Sequence, residues 1–125
     1  MKITGIRIDD VKFGTSIQDV KVPDVLRKRV RSGIGYFDAV LGGEGFTPSM
    51  VTLFTGTPGS GKTTLMLALS DSLQGSGAEV VFNTAEESLH QIKMTAERLK
   101  LDHGFKVGGE PNVPKLLKGC DEIRK

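Results

Sequence analysis

A chain of 125 residues is long enough for one domain, and its 38% apolar and 26% charged residues are typical of a globular protein. No run approaches the roughly 20 apolar residues of a bilayer-spanning helix, we expect no signal peptide in MKITGIRIDD, and a single cysteine, Cys120, excludes an internal disulfide. We therefore expect a cytoplasmic protein without a membrane partner, and the net charge of +2 is too small to indicate nucleic acid by itself.

The first 30 residues are interpreted as an N-terminal arm or connector. They mix charges of both signs, and Pro23 interrupts any long helix, so we expect a short strand or an arm. The arm ends in LRKRVRSG, which contains four basic residues within five positions: Arg27, Lys28, Arg29 and Arg31. Two interpretations remain open for them: a solvated connector, or a strip that contacts the phosphates of nucleic acid or a neighbouring subunit.

Strands and helices are predicted to alternate after the arm. A short helix in SGIGYFDAVLGG ends at Gly42-Gly43. The apolar, β-branched run MVTLFT at 50–55 predicts a buried parallel strand. The segments that follow are a helix at 62–73 ended by GSG, a strand at 79–83, a helix at about 88–99, a strand from Phe105, and a helix at 113–124 capped by Asn112. This order indicates an α/β fold with a parallel sheet.

The last predicted helix has an apolar stripe. Its members are Val113, Leu116, Leu117, Cys120 and Ile123. A stripe of this kind is typical of a helix face that packs on a core. We therefore expect Cys120 to be a core thiol.

The motif that carries chemistry is GTPGSGKT at 56–63, between the predicted strand and the helix. Its glycines let the backbone wrap closely and adopt positive φ, so that amide groups form a cradle for a polyphosphate at a helix N-terminus. Within this loop Lys62 reaches the β- and γ-phosphates, the Thr63 hydroxyl ligates Mg²⁺, and Thr64 lies near the α-phosphate. The predicted ATP-binding residues are Gly56, Thr57, Pro58, Gly59, Ser60, Gly61, Lys62, Thr63 and Thr64.

Hydrolysis also requires a group that orients or deprotonates water. Glu86 is the first acid after the strand EVVFN, and the carboxyl end of a parallel sheet is where ligands bind. Glu86 is therefore the candidate base, with Lys62 as the second catalytic residue. The alternative is that Glu86 and Glu87 are first-turn acids that stabilise the following helix, and each of the pair can serve one purpose.

The two histidines do not indicate a metal site. His90 and His103 are 13 positions apart, with no partner carboxylate or cysteine cluster. We therefore expect no histidine-bound metal in this chain.

Two longer segments resemble a known family. RSGIGYFDAVLGGEGFTPSMVTLFTGTPGSGKTTL and VVFNTAEESLHQIKMTAERLKL are similar to the RecA-like P-loop ATPases, and among them to the bacterial DNA-repair family RadA, also called Sms. The resemblance covers roughly residues 30–124. It implies a DNA-dependent ATPase that assembles as a ring, usually a hexamer, and drives branch migration in recombination and repair. It also implies that Glu86 is the water-activating carboxylate.

Parts of the family pattern are missing from this chain. It lacks the four-cysteine zinc finger, the Lys-Asn-Arg-Phe-Gly motif, and the Walker B strand with its Mg²⁺-organising Asp. We expect residues 1–30 to be the arm and residues 31–125 to be the N-terminal portion of a RecA-like domain, with the Walker A loop present. A fragment of a longer reading frame and a reduced relative both remain open. We expect the chain to bind ATP, and turnover by the 125 residues alone remains open.

Two other functions remain open. One is a signalling ATPase similar to the clock protein KaiC, which shares the leading glycine-rich segment and the paired glutamates. The other is a nucleotide-binding assembly module that does not hydrolyse ATP. DNA binding at two salt concentrations separates the first from a repair ATPase, and single-turnover hydrolysis separates the second.

Overall fold

A computed structural model describes residues 10–124 of the chain. A 3-10 turn, Ile17–Asp19, lies in the arm. The helices and strands in chain order are α1 (Asp24–Arg27), α2 (Gly35–Val40), α3 (Lys62–Gly75), β1 (Val81–Asn83), α4 (Leu89–Arg98), β2 (Lys106–Gly108) and α5 (Val113–Arg124). Every helix predicted after the arm is confirmed, and none of the helices described has the length and apolarity needed to cross a bilayer.

The sheet in the described part of the chain has two parallel strands. β1 pairs with β2 in the register Val81 with Lys106, Phe82 with Val107, and Asn83 with Gly108. Helix α4 connects the two strands, as the connection between parallel neighbours requires. This β-α-β unit confirms the α/β class with a parallel sheet, and it confirms that the segment after Phe105 contains a strand.

The predicted strand at 50–55 is wrong. The structure assigns these residues no regular structure, and they pair with neither β1 nor β2. Val51 and Leu53 are 96% and 86% exposed, so the run is not buried either. A β-strand forms only where a partner satisfies its backbone groups, and within residues 10–124 no partner lies beside this run.

The small core is centred on α3. Leu67 and Leu69 of this helix are buried, and α3 contacts β1. Ile92 of α4 is also buried, at 2% exposure. Burial of each such side chain stabilises the fold by roughly 1.5–3 kcal/mol, so α3 is the element on which the described unit depends most.

A second cluster surrounds α2 and consists of aromatic rings and one buried polar pair. The ring of Phe37 lies 5.6 Å from that of Phe46 and 5.4 Å from that of Phe54, between ring centroids. The buried Asp38 carboxylate accepts hydrogen bonds from the Ser32 amide at 3.0 Å and the Ser32 hydroxyl at 2.6 Å. These hydrogen bonds, first that of the Ser32 hydroxyl, hold the pKa of Asp38 below its ordinary value.

Side-chain caps set the N-termini of the last two helices. The Ser88 hydroxyl accepts from the amide of Gln91 at 3.2 Å, as an N-cap side chain does. Asn112 Oδ1 accepts from the amide of Lys115 at 3.1 Å, which confirms its predicted role as a cap. Glu86 and Glu87 precede the Ser88 cap, so neither lies in the first turn of α4.

Helix α5 does not bury its apolar stripe. It contains no buried residue, and Val113, Leu117 and Ile123 are exposed. Cys120 is half-buried, so the expectation of a core thiol is wrong. Within residues 10–124, α5 makes no extensive contact with another helix or strand, and the stripe has no packing partner there.

The arm contains two short helical turns and no strand between residues 10 and 29. An isolated antiparallel bridge joins Val30 to Phe46. The part of the predicted arm at 1–9 lies outside the described residues. The expected short strand is therefore not found in the described portion of the arm.

Candidate functional site

The loop before α3 contains two residues in the left-handed region of backbone space. Gly59 has φ +80° and Gly61 has φ +90°, a region that side chains with a Cβ rarely adopt. Between them, the Ser60 amide donates to the Thr57 carbonyl at 3.1 Å and closes a turn. The glycines therefore permit the sharp bend that leads into α3.

Gly56 and Lys62 close the loop on itself. The Lys62 ammonium donates a hydrogen bond to the Gly56 carbonyl. A Cβ added at Gly56 would lie 2.8 Å from the Ser60 hydroxyl and 3.3 Å from Cδ of Lys62. The absence of a side chain at Gly56 thus makes room for the lysine, whose charge lies over the loop.

The N-terminus of α3 has no side-chain cap. Its N-cap residue is Gly61, and no side chain accepts from the amides of the first turn. Helix α3 is 14 residues long, so its unpaired amides and its dipole favour an anion at this end. Together with the Lys62 ammonium, these groups can hold a phosphate chain.

Thr63 and Glu87 connect the loop to the carboxyl end of β1. The Thr63 hydroxyl donates to Glu87 Oε1 at 3.0 Å. The Glu87 amide in turn donates to the Thr84 hydroxyl at 3.3 Å, and the Thr84 amide donates to the Gly108 carbonyl at 2.9 Å. A hydroxyl and a carboxylate are oxygen ligands of the kind that Mg²⁺ prefers, so this pair fits the metal ion expected at Thr63.

A family model decides the class of protein. The model described as "ATPase: KaiC" matches residues 30–105, which include the loop, α3, β1 and α4. The chain belongs to the KaiC family of ATPases. This family assignment confirms the resemblance to RecA-like P-loop ATPases.

Curated relatives of this KaiC-family chain are named DNA repair protein RadA. The protein of Bacillus subtilis (strain 168) is 37% identical over 98 residues, which are 73% of this chain and 21% of the relative. That of Streptococcus pyogenes serotype M3 is 35% identical over 115 residues, or 89% of this chain and 25% of the relative. That of Listeria monocytogenes serovar 1/2a is 40% identical over 98 residues, or 78% and 21%.

The chain therefore spans about a quarter or less of the length of the relatives it matches. No solved structure shows significant similarity to it.

The structure places the predicted ATP-binding residues of this KaiC-family chain in one segment. Gly56 to Gly61 form the exposed loop, and Lys62, Thr63 and Thr64 form the first turn of α3. Of the two candidate acids, Glu87 contacts this segment through Thr63. Glu86 is exposed, and among residues 10–124 it has no side-chain hydrogen bond or ion pair. Its position at the carboxyl end of β1 is as predicted, and its catalytic role stays a prediction.

In this KaiC-family chain, Asp71 of α3 forms a hydrogen-bonded pair with His103. The sequence analysis did not predict this pair. Asp71 is buried, and its carboxylate accepts from the His103 amide at 2.9 Å and from Nδ1 at 2.7 Å. Asp102 Oδ1 lies 3.7 Å from the same nitrogen. The expectation that His103 has no partner carboxylate is therefore wrong. The hydrogen bond to Asp71 raises the pKa of His103 above its ordinary value, and the charges of Asp71 and Asp102 add to this.

Gly75 makes room for this histidine. A Cβ at Gly75 would lie 2.7 Å from both Cδ2 and Nε2 of His103, so the ring lies directly on α3. The pair connects residues 32 apart in the chain, and local patterns carry no signal of it. The one sequence clue is Asp71 itself, the single acid of α3, since a buried carboxylate requires a partner.

Proposed function

We propose that this chain is the ATP-binding part of a DNA-dependent ATPase that acts in recombination and repair. The observation that carries the proposal is the glycine loop, which bends into an uncapped helix N-terminus with the Lys62 ammonium over it. Residues 56–64 are proposed to bind ATP. We propose residues 31–125 as a partial ATPase domain and residues 1–30 as an arm, with the protein in the cytoplasm.

Each group of the loop has a proposed role toward the phosphates. The ammonium of Lys62, which contacts the Gly56 carbonyl, exchanges that acceptor for the β- and γ-phosphates. The backbone of Gly59 to Thr63 presents amide groups to the same oxygens, and Thr64 follows on the first turn. Both the fixed amides and the dipole of α3 stabilise a bound anion.

Thr63 and Glu87 are the residues that would hold Mg²⁺. Both offer oxygen ligands, and they are already 3.0 Å apart. The ion, when bound, neutralises charge on the phosphates. Glu87 positions the Thr63 hydroxyl, and its own backbone is fixed to the end of β1 through Thr84.

Glu86 is the proposed base that accepts a proton from the attacking water. Its support is the position one residue before Glu87, at the carboxyl end of β1, with its carboxylate free of other hydrogen bonds in the described chain. Glu86→Gln removes the proton acceptor and keeps the shape. Single-turnover hydrolysis by the protein is expected to fall at least about a hundredfold, while ATP affinity is kept.

Glu87→Gln is the matched comparison for this base. It weakens the binding of Mg²⁺ and leaves the proton transfer intact, so hydrolysis by this variant needs more Mg²⁺ and a metal titration separates the two acids. The assignment of Glu86 fails if Glu87→Gln abolishes hydrolysis at saturating Mg²⁺ and Glu86→Gln does not. Absence of single-turnover hydrolysis by the unmodified chain favours an assembly module that binds nucleotide without turnover.

The DNA-repair part of the proposal is supported by the relatives. Their printed name is DNA repair protein RadA, and their identity to this chain is 35–40%. We propose that ATP hydrolysis drives branch migration on DNA, and that the chain assembles with its own copies as a ring, with a hexamer expected.

The binding of ATP is tested by Lys62→Ala. Calorimetric titration with a non-cleavable ATP analogue and Mg²⁺ is expected to give saturable binding by the unmodified chain and almost none by the variant. Lys115→Ala, an exposed lysine on α5, is the control and keeps full affinity. Unchanged affinity of the Lys62 variant contradicts the site.

A second candidate function is a signalling ATPase, because the matching family model is described by the name KaiC. Such a protein phosphorylates or switches a partner. Incorporation of labelled phosphate into the chain itself, without DNA stimulation of turnover, supports this candidate. DNA-stimulated turnover without phosphorylation supports the repair ATPase.

A further inference from the structure

The end of the arm has a dense group of positive charges. We call Arg27, Lys28, Arg29 and Arg31 the basic strip. All four side chains are exposed, and none forms an ion pair within residues 10–124. Segment 27–31 contains no acid, and among residues 10–124 the one carboxylate whose charge interacts with the strip is that of Asp38, near Arg31.

The backbone of the basic strip is fixed to the loop that follows α2. Val30 and Phe46 exchange two hydrogen bonds, of 2.8 Å and 2.7 Å, in an antiparallel bridge. A Cβ added at Gly45 would lie 2.2 Å from the Val30 carbonyl oxygen and 2.8 Å from Cα of Arg31. The close approach of the two backbones therefore requires glycine, and it holds the strip in one place.

A buried anchor follows the basic strip directly. Ser32 is fully buried, and its amide and hydroxyl both donate to the carboxylate of Asp38. This carboxylate is occupied by Ser32, which leaves the guanidinium of Arg31 exposed. The scaffold thus orders the backbone from Val30 to Ser32 while the basic side chains stay in water, so a ligand does not have to order that backbone itself.

The shape of the basic strip selects the kind of anion. Lys28 has extended backbone angles and Val30 lies in a bridge, so the charges from Lys28 to Arg31 spread over roughly 10 Å along the chain. A single phosphate requires donors that converge on one point, as they do at the loop before α3. Charges spread along an extended segment, with side chains on alternate sides of it, fit a polymer with phosphates at intervals rather than a single phosphate.

We propose that the basic strip binds the phosphate backbone of DNA. The choice of DNA as the polyanion rests on the proposed function, whereas the strip itself is a site separate from the ATP loop. Contacts with phosphates carry no sequence information, so the strip binds DNA of any sequence and holds the chain on it.

The test compares two triple variants by fluorescence anisotropy with a labelled single-stranded DNA. The first, Arg27→Ala/Lys28→Ala/Arg31→Ala, removes three charges of the basic strip and keeps Arg29, which donates to Thr47. The control, Lys115→Ala/Lys118→Ala/Arg124→Ala, removes three exposed charges from α5. The two variants have the same net charge, so a difference between their DNA affinities depends on where the removed charges lie.

We expect the strip variant to bind DNA at least about tenfold more weakly than the control at about 100 mM salt. The slope of log affinity against log salt is expected to fall by about 2, since each lost contact to a single strand contributes about 0.7. Arg27→Lys/Arg31→Lys keeps the charges and is expected to retain binding. Circular dichroism and affinity for the ATP analogue are expected to be unchanged in all three variants.

Equal DNA affinity and equal salt slope in the two triple variants overturn the proposal, as does an unmodified chain that does not bind DNA. A strip variant that changes self-association in sedimentation, with DNA binding unchanged, assigns the strip to a neighbouring subunit instead. If the ATP analogue binds normally when the DNA proposal fails, the assignment of the nucleotide site is unaffected. Loss of analogue binding by the unmodified chain overturns the nucleotide site alone.

Discussion

The two segments that flank the phosphate loop have opposite environments. The apolar run at 50–55, which enters the loop, is unpaired, with Val51 and Leu53 almost fully exposed. Helix α3, which leaves the loop, buries Leu67 completely and Leu69 to 5% exposure. Both segments contain an apolar stretch, in MVTLFT at 50–55 and in LMLAL at 65–69. The difference teaches that an apolar helix packs with one face on what is nearby, whereas an apolar strand needs a partner at a specific edge.

The largest expected difference between the run at 50–55 and helix α3 is in the rate of amide hydrogen exchange. Amides at 51–55 have no ladder partner and are expected to exchange close to the rate of an unfolded chain. Amides in the middle of α3 are expected to exchange about a thousandfold more slowly, because they open only when the unit unfolds. Exchange followed residue by residue by NMR checks this. Similar protection in both segments contradicts the unpaired state of the run.

Two leucines test the same contrast in stability. Leu67→Ala removes a fully buried side chain and is expected to lower the free energy of unfolding by about 2–5 kcal/mol. Leu53→Ala removes an exposed side chain and is expected to change it by less than about 0.5 kcal/mol. Urea unfolding followed by circular dichroism measures both. A large loss for Leu53 shows that the run is buried in solution.

The junction between the two segments depends on the backbone of Gly61. Alanine at φ +90° is disfavoured by about 1–2 kcal/mol, so Gly61→Ala is expected to lower stability by that amount and to weaken binding of the ATP analogue. Gly119→Ala is the control, because Gly119 lies inside α5 with open space at its Cβ. That substitution is expected to raise stability slightly. Equal losses from the two substitutions argue against a left-handed residue at the start of α3.

The smallest expected effect concerns the anchor of α3 to His103. Because Asp71 raises the pKa of His103 in the folded chain, the pair stabilises the fold fully below the unfolded pKa of about 6.5. The contribution declines as pH rises through the raised folded value. The difference in urea midpoint between the unmodified chain and His103→Gln is therefore expected to be larger at about pH 6 than at about pH 8.5. A difference that does not vary with pH argues against the charged pair.

Local patterns predicted much of the fold. The glycines marked the ends of α2 and α3, and the apolar spacing in 88–99 predicted α4. These features depend on neighbours within a turn or two, which the sequence displays directly. The loop at 56–63 was also predictable, because its function requires glycine at fixed intervals.

The failures concern contacts between distant residues. The lack of a strand partner for 50–55, the lack of a packing partner for α5, and the bond from Asp71 to His103 all depend on which of the described segments meet in space. The contact of Thr63 with Glu87 rather than Glu86 depends on the direction of two adjacent side chains at the end of β1. Spacing along a single sequence does not fix either kind of feature.

The central claim is that residues 56–64 bind the phosphates of ATP, and amide NMR of this segment tests it most directly. Titration with Mg²⁺ and a non-cleavable ATP analogue is expected to shift the amides of Gly59, Gly61, Lys62 and Thr63 in a saturable manner, with little change in α5. Lys62→Ala is expected to abolish these shifts. Amides that stay unmoved up to about 1 mM analogue in the unmodified chain contradict the claim.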